Sequence, residues 1–141
     1  MVGVDRGIMH RLPVVYIAGP YRAPTPWQIQ ENIRRAQSVA LTVWKLGAVA
    51  ICPHANTALF DGEADDSMWL EGDLELLRRS DAVCLVPGWD NSQGASAEYR
   101  LALELGMPTF DSDFGMLSLQ AWVTQWKTDI VASTASNSAS V

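Results

Sequence analysis

Short apolar runs alternate along this chain with longer stretches in which apolar residues return every three or four positions. The run Pro-Val-Val-Tyr-Ile-Ala-Gly-Pro, beginning at Pro13, is too short for a helix and closes on Gly-Pro, which predicts a buried strand. Residues 27–46 lack glycine and proline. Within them Ile29, Ile33, Ala36, Val39, Ala40, Val43 and Trp44 recur at helical spacing, and Gly47 supplies the stop. The runs at 48–52 and 81–87 predict a second and a third strand, and 107–111 a short fourth. Helices are predicted over 68–79, capped by Asp66 or Ser67, over 95–105, stopped by Gly106, and over 116–127. Between the second strand and its helix lies a polar loop, a connection of a length that often carries function. Residues 1–12 lack periodicity and read as a loose arm, 13–130 as one domain, and 131–141 as a disordered polar tail of low complexity.

Strands alternating with helices imply parallel pairing through crossovers, hence an α/β three-layer sandwich with a flavodoxin- or Rossmann-like sheet of four to five strands. Near-continuous apolar strands agree, because both faces of such a sheet are covered. In the order 2-1-3-4 the winding reverses between strands one and three. Ligands of such folds bind in the crevice at that point, beyond the carboxyl ends of the strands. The loops 19–26 and 88–94 meet there.

The totals narrow the field. The chain has 141 residues and a formal net charge of -6, so no basic field advertises a nucleic-acid polymer as partner. Cys52 and Cys84 each sit in an apolar run and read as buried reduced thiols of a cytoplasmic protein. His10 and His54 have no partners at ligand spacing, which argues against a metal site. No run is long and apolar enough to span a membrane.

Candidate chemistry clusters around the crevice. Ser-Gln-Gly-Ala-Ser-Ala-Glu (Ser92 to Glu98) puts small residues before and inside the first turn of a helix. Free N–H groups and the positive dipole end favour an anion there, with hydroxyl donors from Ser92 and Ser96 and close approach at Gly94. The spacing is neither a P-loop nor Gly-x-Gly-x-x-Gly. Glu98 is expected in that first turn, where a carboxylate is favoured by the dipole whatever else it does. Asp73 lies in a helix that starts near the crevice, and Gly72 before it costs helix stability, which hints that something approaches closely. Taken alone, Asp73 reads first as a solvated carboxylate. Gly19, Pro20, Tyr21 and Arg22 form a stiff loop at the crevice. Trp89 is placed to stack on a base, and His54 either lines the site or supports it.

Taken together, "YIAGPYR", "DLELLRRSDAVCLVPG" and "SQGASAEYRLALELGMP" resemble the nucleoside 2-deoxyribosyltransferase-like superfamily. The likeness points to its nucleoside 5'-monophosphate N-hydrolase branch and to a small phage- or actinobacterial-type subfamily. It covers most of residues 14–110. It implies that Glu98 is the nucleophile at the anomeric carbon, that Asp73 protonates or orients the departing base, and that the first loop holds sugar and base. Ser92 stands where the transferases carry an aspartate and the monophosphate hydrolases a phosphate-binding serine. The resemblance therefore implies hydrolysis of the base–sugar bond of a (deoxy)ribonucleoside 5'-monophosphate, without a cofactor, in a homodimer or larger homo-oligomer. Two departures stand out: Ser96 replaces a second glycine of several relatives, and residues 114–141 do not match the segment with which transferases complete a neighbouring site. Deoxyribosyl transfer and non-catalytic nucleotide sensing remain the alternatives.

Overall fold

The computed structural model describes residues 12–139, with side chains through residue 135. The arm expected over 1–12 thus lies outside the described residues except for Leu12. Strand β1 (Val14–Ala18) leads through the Gly-Pro-Tyr-Arg loop into helix α1 (Pro26–Lys45). Pro26 occupies the first helical position, where its missing N–H costs nothing, and the Thr25 hydroxyl accepts a hydrogen bond from the Gln28 N–H. Strand β2 (Val49–Ile51) follows, then a single-turn helix α2 (Pro53–Asn56) inside the segment predicted to be all loop. Helix α3 (Asp66–Arg78), strand β3 (Ala82–Leu85), helix α4 (Gln93–Glu104), strand β4 (Thr109–Asp111) and helix α5 (Met116–Ala139) complete the chain.

The four strands form one parallel sheet in the order β2-β1-β3-β4. Alternation along each strand divides the core into two layers. Val15, Ile17, Ala82, Cys84 and Val86 face α1 and α5, meeting Ala36, Ala40, Val43, Leu119 and Val123. Tyr16, Ala18, Val83 and Leu85 face α3 and α4, meeting Leu77 and Ala102. Helices therefore cover both faces of the sheet, as the uninterrupted apolar strands predict. Both cysteines are free thiols, Cys84 buried and Cys52 partly so.

Three boundaries differ from the sequence expectation. Helix α4 begins at Gln93, two residues early, because Ser92 caps it by accepting from the Ala95 N–H at 3.2 Å. Helix α3 begins at Asp66 after an Asp65 cap position rather than at 68. Helix α5 runs to Ala139, through most of the stretch expected to be a disordered tail. Residues 116–139 contain neither glycine nor proline, so a helix already nucleated by packing has nothing to stop it. Among the described residues, no helix is long and apolar enough to cross a membrane.

Candidate active site

A cavity of about 780 Å³ opens beyond the carboxyl ends of β1 and β3, where the strand order reverses. Its walls come from the loop after β1, from α2 and the segment behind it, from the first turns of α3, and from the start of α4. Close contacts lock the two crevice loops together. A Cβ on Gly19 would stand 2.6 Å from the Val86 Cβ, so only glycine lets the first loop cross the end of β3. Gly88, at φ +88°, abuts the Pro20 ring. The His54 Nε2–H donates to the Pro20 carbonyl at 2.8 Å, and the Asn32 side-chain amide donates to the Tyr21 carbonyl at 3.0 Å. These bonds hold the proline-rich loop as a rigid wall.

Most of the candidate residues come together here. Gly19, Pro20, Tyr21, Arg22, His54, Asp73, Ser92, Gly94 and Glu98 all line the cavity. Two candidates do not. Trp89 sits in a short 3-10 turn (Trp89–Asn91) and packs on Tyr99, ring centroids 4.6 Å apart, against the α3–α4 core layer. Ser96 lies behind the wall, its hydroxyl directed at the Trp89 carbonyl. The glycine hint also fails at Gly72, since a Cβ there would meet nothing within 4 Å. Glu98 lies in the second turn of α4 rather than its first, because the helix starts earlier.

Glu98 and Asp73 project from two packed helices into the same cavity. The Tyr16 hydroxyl, reaching up from the middle of β1, donates to Glu98 Oε2. Burial pushes the Glu98 carboxyl up to about 8; the Tyr16 hydrogen bond opposes this rise and the nearby Asp73 charge adds to it. Burial alone lifts Asp73 to about 6. Tyr16 is itself raised, mainly by burial and then by Glu98, so it remains a hydroxyl donor. Burial lowers His54, which stays neutral as it supports the loop. The pair can therefore hold one proton between them near neutral pH, the condition for acid and nucleophile to act together.

At the other end, Ser92 turns its oxygen to the Ala95 N–H, which leaves its O–H free to donate. The N–H groups of Gln93 and Gly94 occupy the first positions of α4, where the helix offers them no partner. This end suits an anion. Arg22 does not stand free: its guanidinium bridges Asp61, at 3.2 and 3.3 Å, and Asp66, at 2.6 Å, and the Asp61 hydrogen bonds hold it above its usual range.

Tyr16, Asp61 and Trp69 belong to the site and are not among the sequence candidates; Asp66 is named there only as a helix cap. Tyr16 reads as one more apolar strand position. The others sit in or beside a loop whose path the sequence does not define. The only available signal was the tyrosine itself, a hydroxyl in a strand whose other positions are wholly apolar.

Known proteins give this geometry a setting. A 2-deoxyribosyltransferase from the psychrotolerant bacterium Bacillus psychrosaccharolyticus shares the fold, with a TM-score of 0.52 and 18% sequence identity over 70% of each chain. No curated protein sequence matches the chain. A family described as a domain of unknown function, DUF7768, matches residues 13–111, from the residue before β1 to the end of β4, and the chain belongs to that family.

Proposed function

We propose that the protein is an N-glycosidase that hydrolyses the base–sugar bond of a (deoxy)ribonucleoside 5'-monophosphate. The observation that carries this reading is the pair of partly buried carboxyls, Glu98 and Asp73, sharing one cavity, with Tyr16 donating to the former. Glu98 in its carboxylate form attacks the anomeric carbon. The bond from that carbon to the base nitrogen breaks as the carbon–oxygen bond to Glu98 forms, and the Asp73 carboxyl gives its proton to the leaving base. Water then attacks the same carbon and loses a proton to the Asp73 carboxylate, and Glu98 departs as a carboxylate. The Tyr16 hydrogen bond favours the charged form of Glu98 that both steps need. The Ser92 hydroxyl and the N-terminus of α4 receive the phosphate, and the rigid 19–22 loop bounds the sugar and base.

The acidic lining supports a second reading, transfer of deoxyribose between free bases. Asp61, Asp66 and Asp73 line the cavity beside Glu98, and an uncharged nucleoside meets less repulsion there than a phosphate dianion.

Chromatographic detection of free base separates the readings. Wild type and Glu98→Ala are incubated with nucleosides and their 5'-monophosphates, with and without an acceptor base. Release from monophosphates by wild type alone is the expected result. Exchange from free nucleosides would establish the transferase instead. Nucleotide binding that survives in Glu98→Ala, with no base released by either protein, would leave a sensing module.

A further inference from the structure

Arg22 is the only lysine or arginine among the described residues that line the cavity, and it is already engaged. Asp61 grips it with both carboxylate oxygens, and Asp66 holds one terminal nitrogen at 2.6 Å. The two aspartates come from different places, one from the segment after α2 and one from the first turn of α3. The Tyr21 ring lies under the guanidinium at 5.5 Å and packs edge-on against His54 at 5.4 Å, so the cation is held from below as well. It is still reachable. The side chains of Arg22, Asp61 and Asp66 are 55%, 48% and 58% exposed, so solvent and ligand compete for these bonds.

We propose that Asp61 and Asp66 are specificity-determining residues that act through Arg22, occupying its guanidinium and so setting how well the cavity accepts a phosphate. The inference rests on the proposed reading for what the cavity binds. Two carboxylates on one guanidinium leave a net negative group at the rim, and a phosphate must displace a partner or bind elsewhere. Phosphate is then held mainly by the Ser92 hydroxyl and the start of α4. With both aspartates made neutral, the same guanidinium becomes free to take two phosphate oxygens in its planar fork. Asp61 and Asp66 thus position Arg22 against phosphate rather than touching the reacting atoms.

The test is a binding cycle with two probes, inorganic phosphate and a set of 5'-monophosphates each paired with its nucleoside, measured by titration calorimetry. Asp61→Asn with Asp66→Asn should tighten phosphate and improve the monophosphate-to-nucleoside affinity ratio by about tenfold or more, the scale of one freed charge-assisted pair. Adding Arg22→Ala to that double variant should abolish most of the gain. Thermal melts of each variant check that the fold is retained, and Asp61→Glu, which keeps the ion pair, should behave like wild type. An unchanged ratio, or no phosphate binding by either wild type or the double variant, overturns the proposal. A gain that survives Arg22→Ala also overturns it, since the aspartates would then act only through their own charge. Base release is read separately: a double variant that gains phosphate binding while no form releases base keeps this inference and sinks the glycosidase.

Discussion

Glu98 and Asp73 carry opposite requirements on one proton. In the proposed reaction the nucleophile Glu98 must be ionised and the acid Asp73 protonated, yet burial places Glu98 at about 8 and Asp73 at about 6. Below pH 6 both carboxyls hold protons and the nucleophile is lost; above pH 8 neither does and the acid is lost. The expected kcat/KM profile is a bell with limbs near 6 and 8 and its maximum between them. Because Glu98 is raised above Asp73, the shared proton resides mainly on Glu98, the reverse of what the proposed step needs. Tyr16 works against that bias. Tyr16→Phe removes the one contact that lowers Glu98, so the alkaline limb should move up and the maximum fall by about tenfold or more. An unshifted limb in that variant would mean that Tyr16 serves packing only. Asp73 was picked out by its place in a crevice-facing helix only together with the family resemblance; the tyrosine was not, since its hydroxyl meets Glu98 across 82 positions of sequence.

Helices α3 and α4 present these carboxyls by different means. Helix α4 is set by its Ser92 cap, which also leaves a hydroxyl proton at the end proposed to receive the phosphate. Helix α3 carries Gly72 at an exposed position with ordinary helical backbone and empty space around its absent Cβ. Gly72→Ala should therefore stabilise the protein by about 0.5–1 kcal/mol, through helix propensity and a less flexible unfolded chain, with kcat unchanged. Thermal and urea melts measure it, and a loss of stability would show that the glycine meets something after all. Gly19 is the contrast. Its position at the end of β1 tolerates no Cβ because Val86 stands against it, and trimming Val86 to alanine would leave the clash in place, as the nearest atom is the Val86 Cβ itself. Helical periodicity found both helices from sequence. It misplaced both starts by two residues; at α4 the reason is the Ser92 side chain reaching the Ala95 N–H, whereas α3 begins after Asp65 without a side-chain cap bond.

At the scale of the whole molecule, charge and topology act together. The chain carries a net charge of -6, and the cavity lining sets four carboxyls against one arginine. The proposed 5'-monophosphate substrate would approach against that field. Raising NaCl from ~10 to ~150 mM shortens the screening length to about 8 Å and should increase kcat/KM for a 5'-monophosphate several-fold, while a free nucleoside responds little. A fall with salt would instead indicate an attractive basic path to the site. The parallel sheet, ordered β2-β1-β3-β4, puts the end of β1 beside the end of β3, so one cavity gathers residues from segments as far apart as Gly19 and Glu98.

The sequence by itself determined the alternation of strands and helices, the class of fold and the crevice at the strand-order reversal, because apolar periodicity and glycine or proline stops are local properties of the chain. It also marked Glu98, Asp73, Ser92 and the Gly-Pro-Tyr-Arg loop, whose residue types stand at the ends of predicted elements. Only the tertiary structure decided that Tyr16 donates to Glu98, that Arg22 is held by Asp61 and Asp66, that Trp89 and Ser96 turn away, and that α5 runs on to Ala139. Each of these depends on which surfaces meet across long sequence separations or on how far packing extends a helix, and no local pattern encodes either.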